Sequence, residues 1–191
     1  EILKSSYINA DETRLRRDGR SGYVWGFFTK GIALLNAEMS RGKKIANDIL
    51  AKYLGVTITD GYLGYEDVAL RQRCWSHLIR EFEELAKKHK EAKVFLKRIR
   101  ELYKQLVVYV DDVPAESVKD YLFFQLNDMM TCLNATKWGR KLASLIKNGG
   151  DDWFTAWDYP GVPFQNNLAE RGLRRIVMHR KRMGCYRNDV G

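Results

Sequence analysis

The sequence predicts an α/β protein: a small mixed sheet, a helical block, and a last helix that returns to the sheet. Three observations predict it. The first sixty residues carry short β-branched and aromatic runs separated by turn dipeptides. From Trp75 the apolar residues switch to helical spacing. After Asn148-Gly149-Gly150, an aromatic, Pro-containing segment leads to Asn166-Asn167 and one more amphipathic run.

The strands come first. Ser6–Asp11 is short and β-rich, and the charged stretch Arg14–Arg20, with Asp18-Gly19, reads as a turn. Tyr23–Phe28 is a second strand, Lys30-Gly31 a turn, and Ile32–Met39 a third strand. Such short connections imply an antiparallel meander. Ser40 reads as a helix N-cap, with Ile45, Ile49, Leu50, Tyr53 and Leu54 behind it and Gly55 as the stop. Val56–Asp60 is the fourth strand, ended by Asp60-Gly61. A strand, a helix and a strand in this order suggest a crossover, so the fourth strand lies parallel to its neighbour.

The helical block carries Leu78, Phe82 and Leu85 on one face, then Ile99, Leu102, Leu106 and Val110. Asp111-Asp112 and Pro114 break it, and Val118, Leu122, Met129, Trp138, Leu142 and Leu145 continue it. The last helix runs from Leu168 to about His179. The expected organisation is a first core segment over 1–75, a helical insertion over 76–160, and a core helix with a basic tail over 161–191.

A chain of 191 residues that is 45% apolar can bury a core without disulfide or metal staples. Its 33 Lys and Arg against 24 Asp and Glu leave a formal charge of +9, which favours a polyanionic partner, nucleic acid first. A phospholipid surface competes, but apolar runs such as Leu106–Val110 fall far short of the roughly 20 residues of a spanning helix. No signal peptide is legible. Three scattered cysteines (Cys74, Cys132, Cys185) exclude a secreted disulfide scaffold and point to a reducing cytosol. Glu1 rather than Met opens the chain, as in a fragment of a longer protein.

Three carboxylates stand where a metal site can be built. Asp11 ends strand one, Asp60 ends strand four, and Glu170 lies in the first turn of the last helix. If the two strands are parallel neighbours, their C-terminal ends coincide, and ligand sites in open α/β sheets lie outside those ends. Converging carboxylates suit Mg²⁺, which takes hard oxygen donors, and two such ions serve phosphodiester chemistry. Structural readings stand beside this. Asp11 closes a strand, Asp60-Gly61 is an ordinary turn, and Glu170 is at capping-box spacing from Asn167.

The local strings add a resemblance. They are Ala10-Asp11-Glu12-Thr13, Ser40-Arg41-Gly42-Lys43, Thr59-Asp60-Gly61-Tyr62, Cys74-Trp75-Ser76-His77, and Asn166-Asn167-Leu168-Ala169-Glu170-Arg171-Gly172-Leu173-Arg174. In wording and order they resemble the catalytic domain of the insertion sequence sixty-six family of DDE transposases, over nearly the whole chain. The resemblance implies a ribonuclease-H-like fold with a helical insertion between the second Asp and the Glu. It implies Asp11, Asp60 and Glu170 as catalytic ligands of Mg²⁺ or Mn²⁺, two ions in all. It further implies double-stranded DNA as substrate, a homodimer in the active complex, a prokaryotic cytoplasmic setting, and N-terminal DNA-binding modules that this sequence does not hold. The stretch 183–189 departs from the family pattern.

Other residues have two readings. Cys74-x-x-His77 is half a zinc site without a second half. The resemblance sets His77 and Arg80 as active-site support, and the plain alternative is a packed Cys and a satisfied His. Arg171, Arg174 and Arg175 share a helical face, and with Arg180, Lys181 and Arg182 they suit a DNA backbone. The bland alternative is a solvated basic face. Trp25, Trp75 and Trp138 read as core. Trp153 and Trp157 also suit the core, or stacking on a displaced base. No Gly-rich phosphate loop and no Ser-His-Asp set is present. Transposition is the leading functional reading. A non-catalytic nucleic-acid-binding module and a structure-selective nuclease of the same fold are the alternatives.

Overall fold

The computed structural model describes residues 1–17 and 20–183. The expected Asp18-Gly19 turn, Cys185 and most of the departing stretch 183–189 lie outside them. The chain divides into two compact units. One holds Glu1–Arg71 and the chain from Asn166 onward, and the other holds Gln72–Gln165.

The first unit is built on strands β1 (Tyr7–Arg17), β2 (Arg20–Phe28), β3 (Ala33–Glu38) and β4 (Val56–Thr59). A fifth strand, β5 (Arg71–Arg73), completes a sheet of order β3-β2-β1-β4-β5. β1, β2 and β3 form the antiparallel meander, and β4 joins β1 in parallel. Helix α1 (Lys43–Leu50) is the crossover, and helix α6 (Asn167–Met183) packs on β1 and β2.

Two local expectations differ from the structure. Arg14–Arg17 is strand, paired with Arg20–Tyr23, not turn. The reason is period-2 alternation: Leu15 packs toward α6, while Arg14 and Arg16 stay exposed on the other face. The N-cap of α1 is Gly42 rather than Ser40. Ser40 instead accepts the Gly42 N–H at 2.9 Å, a local serine turn that delays the helix.

Alternation gives the sheet two covered faces. Ile8, Ala10, Trp25 and Phe27 point to one side and pack with Ala46, Leu50, Tyr53 and Tyr65. Val24 and Phe28 point to the other side and meet Ala169 and Leu173 of α6. A substituted side chain on β1 therefore reports to α1 or to α6 by parity alone.

The second unit holds α2 (Trp75–Lys88), α3 (Lys93–Val107), α4 (Glu116–Asn134) and α5 (Arg140–Gly149), each packed on the next. Its core is Trp75, Leu78, Phe82, Ile99, Leu102, Leu106, Leu126, Met129 and Ile146. Trp153 and Trp157 are buried here, which corrects the base-stacking alternative. Trp157 stacks on Phe154 with centroids 4.1 Å apart. The Trp153 indole donates to the Ile146 carbonyl at 2.9 Å. Trp138 is only half-buried and stacks on His89. Among the described residues no helix is long and apolar enough to cross a membrane.

Candidate active site

β1 and β4 form the floor of the site. Tyr7 stands opposite Val56, Ile8 opposite Thr57 and Asn9 opposite Ile58. Continued by two residues, this register sets Asp11 beside Asp60. Neighbouring strands lie about 4.8 Å apart, and register partners in a parallel pair face the same side. That side is the α6 side, because Asp11 shares parity with Asn9 and sits opposite Gly26 of β2. Each aspartate is steadied by nearby backbone. Asp11 Oδ1 accepts the Glu12 N–H at 2.8 Å, and Asp60 Oδ1 accepts the Tyr62 N–H at 2.8 Å.

α6 is fastened over this floor at both ends. The Asn166 carbonyl accepts the Glu170 N–H at 3.2 Å, the first turn of the helix, so Asn166 is the N-cap. Its side chain binds β1. Asn166 Oδ1 accepts from Asn9 Nδ2 at 2.9 Å, and Asn166 Nδ2 donates to the Ala10 carbonyl at 2.7 Å. At the other end, Arg180 donates to Thr13 Oγ1 at 3.1 Å and to the Arg14 carbonyl. α6 and β1 therefore run in the same direction.

That arrangement fixes the level of Glu170. Four helical residues beyond Asn166 rise about 6 Å, and two strand residues beyond Asn9 advance about 6.6 Å. Glu170 and Asp11 thus stand level above the Asn9–Asn166 clamp. With Asn166 as N-cap, the capping-box position falls on Ala169, which removes the capping-box reading of Glu170. Among the described residues, however, no group of three or more His, Cys, Asp or Glu side chains is drawn together tightly enough to hold a metal ion. The printed pairing of β1 with β4 ends at Asn9 and Ile58, two residues short of Asp11 and Asp60, and Glu170 lies in the first turn of α6.

The basic face of α6 divides in two. Arg171, Arg174, Arg175, Lys181 and Arg182 are exposed. Arg180 is half-buried and tied to β1, so it serves the seating of the helix. His77 and Arg80 belong to the second unit, on the first two turns of α2, half-buried and exposed respectively. Cys74 is the N-cap of α2, with its Sγ 3.3 Å from Ser76 Oγ.

Sequence reasoning missed one cluster. Glu12 points to the α1 side, with its side chain only 1% exposed. Arg41 reaches its Oε1 through Nε at 2.9 Å and Nη2 at 2.5 Å, and the Tyr65 hydroxyl donates to Oε2 at 3.0 Å. The Arg41 guanidinium lies 3.8 Å over the Tyr62 ring, and the Tyr62 hydroxyl donates to the Arg41 carbonyl at 2.5 Å. Burial raises the Glu12 carboxyl above its ordinary range, Arg41 pulls it back, and the negative charge of Asp60 pushes it up. Burial also holds the Tyr65 phenol well above its ordinary value, with Glu12, Asp11 and Asp60 adding to the effect. The signal was within the quoted strings. Glu12 comes from Ala10–Thr13, Arg41 from Ser40–Lys43 and Tyr62 from Thr59–Tyr62, and parity on β1 already set Glu12 opposite to Asp11.

A family model described as Transposase IS66 family matches residues 1–191, the whole chain. No match is found among curated proteins.

Proposed function

The chain belongs to the IS66 transposase family, and we propose that it is a catalytic domain of the DDE type on a ribonuclease-H-like core. In this reading Asp11, Asp60 and Glu170 are the metal ligands, double-stranded DNA is the substrate, and the working form is a homodimer in a prokaryotic cytoplasm. The carrying observation is the parallel pairing of β1 with β4, whose register, continued by two residues, would set Asp11 beside Asp60.

The donor set fits a hard divalent cation. It is all carboxylate, and two aspartates about one strand spacing apart repel each other until a cation lies between them. Glu170, in the first turn of α6, would be the third ligand. A pair of Mg²⁺ or Mn²⁺ ions would supply charge neutralisation and an activated water or 3′-OH for in-line attack on a phosphodiester. The chain's own residues do the positioning. Asn166 fixes the start of α6 against Ala10, so Glu170 cannot slide along β1. Arg171, Arg174 and Arg175 give the substrate backbone a cationic rail beside the carboxylates, holding the phosphates and not reading the bases. Positioning of this kind, with no covalent enzyme intermediate, is what end cleavage and strand transfer require.

Calorimetric titration of the full chain with Mn²⁺ tests the site. Wild type should bind, and Asp60→Asn and Asp11→Asn should each abolish binding measurably, with unaltered circular dichroism. Unchanged Mn²⁺ affinity in Asp60→Asn refutes the ligand assignment. Joining of a pre-cleaved 3′-OH transposon end to a second duplex then separates transposition from simple nuclease action.

A further inference from the structure

The helical unit carries a surface that the catalytic reading does not use. Between α2 and α3 runs an open groove of about 970 Å³. Six cations line it: Lys87, Lys90, Lys93, Lys97, Arg100 and Lys104. Glu83 and Glu101 are its only acids, which leaves the groove at +4. Over 72–165 as a whole there are fifteen Lys and Arg against thirteen Asp and Glu, a net charge of only +2. The groove is therefore a concentration of charge, and the rest of that unit is slightly acidic.

The pattern along α3 is one stripe. Lys93, Lys97, Arg100 and Lys104 follow each other at spacings of four, three and four, so each is the helical neighbour of the next. Like charges at this spacing destabilise an isolated helix. Some of the stripe is compensated, since Arg100 meets Glu83 at 2.6 Å and Lys104 meets Glu101 at 3.3 Å. Lys90, Lys93 and Lys97 have no ion-pair partner among the described residues. By contrast, α2 brings both signs to the groove, and its Lys87 is paired with Glu84 at 2.5 Å. Between Lys93 and Lys104 the helix rises about 16 Å. Duplex DNA presents one phosphate per 3.4 Å of axis on each strand, so a stripe of this length spans several phosphates.

We propose that the α2–α3 groove of the helical unit is a docking surface for the backbone of duplex DNA, separate from the basic face of α6. The choice of DNA as the polyanion rests on the functional reading above. The groove contacts phosphates only, so it adds affinity and holds the substrate without selecting sequence.

The test is fluorescence anisotropy of the full chain on a labelled random-sequence duplex, read against salt concentration. The double variant Lys93→Gln/Lys97→Gln removes two exposed, unpaired cations with a neutral helix former. Lys137→Gln/Lys147→Gln, on exposed positions of the same unit outside the groove, makes the same change in net charge. The groove variant should lower the log–log salt slope by about 1.8 and weaken binding by about tenfold at 0.1 M salt. The control should stay within about twofold of wild type. Melting of the groove variant should be unchanged or higher, because neighbouring like charges are relieved. Equal losses in the two variants, no binding by wild type at low salt, or a lower melting temperature in the groove variant each overturn the proposal. Mn²⁺ titration of the groove variant should match wild type. The catalytic reading fails on Asp60→Asn and the groove on this DNA series, so either can fall alone.

Discussion

Gly172→Ala is an informative perturbation because two opposing effects can be weighed. Gly172 is in the interior of α6, two residues after Glu170, and lies against the Phe28 ring of β2. A Cβ added there would meet Phe28 Cζ at 2.5 Å and Cδ1 at 2.7 Å, about 1 Å short of ordinary contact, which begins at 3.4 Å. The ring cannot recede. On its far side, a Cβ on Gly26 would meet the same Cζ at 2.8 Å and Leu173 Cδ2 at 3.0 Å, so Phe28 is wedged between two glycines. In favour of the substitution, Ala is better than Gly in a helix interior by about 1 kcal/mol. Against it, overpacking a closed core costs about 1–3 kcal/mol. Overpacking wins here, because Phe28 is 5% exposed and has no direction in which to relax. The expected net loss is up to about 2 kcal/mol, or as much as roughly 4–8 °C in melting temperature for a chain of this size. Urea unfolding should show a lower midpoint at an unchanged m-value. Mn²⁺ affinity should fall in parallel, since lifting α6 separates Glu170 from Asp11. Phe28→Leu in the same chain should recover part of the loss, a coupling readable in a double-mutant cycle. A Gly172→Ala protein that melts at or above wild type would refute the wedge.

Three further outcomes are expected. Asn166→Ala removes two buried hydrogen bonds to β1 and strands the Ala10 carbonyl, so urea unfolding should show a loss of about 2–4 kcal/mol. Glu12→Gln should leave Mn²⁺ binding intact where Asp11→Asn abolishes it, because both Glu12 oxygens are already engaged by Arg41 and Tyr65, and equal losses would reverse that assignment. Burial pushes the Tyr103 phenol up to about 12. The stability linked to its neutral form is complete below the unfolded value of about 10 and is lost as pH rises toward the folded one, so Tyr103→Phe should flatten the alkaline fall in the urea midpoint.

The coarse fold was legible because its signals are periodic. The meander, the parallel fourth strand and the helical block follow from alternation, turn dipeptides and helical spacing, and the structure has them. Arg14–Arg17 was misread because five charged residues in the seven from Arg14 to Arg20 resemble a turn, although Thr13-Arg14-Leu15-Arg16 alternates as a strand does. β5 was missed because Arg71-Gln72-Arg73 has no apolar residue. Its Gln72 is nevertheless fully buried, accepting the Ala156 N–H and donating to the Trp153 carbonyl, and those partners are more than eighty residues away in sequence. In the candidate site the three carboxylates were nameable from strings. What fastens them was not, because Asn9 and Asn166 are 157 residues apart and neither carries charge.

Two consecutive acids on β1 receive opposite treatment, and that difference separates a structural anchor from the proposed metal ligand. Parity sends Glu12 to the α1 side, where the fold surrounds it with its own cation, a phenol donor and two aromatic rings. A buried carboxylate with both oxygens engaged is a structural anchor, since removing one partner would leave its charge uncompensated. Here the anchor ties the chain before α1 to the loop after β4, because Tyr62 donates to the Arg41 carbonyl while its own N–H is held by Asp60. The Tyr62 N–H thus links the Asp60 carboxylate to this anchor. Asp11, one residue away, faces the helix that carries Glu170. A Glu12→Ala change would act on the α6-side site only through this link, by loosening Asp60, whereas a change at Asp11 acts on it directly.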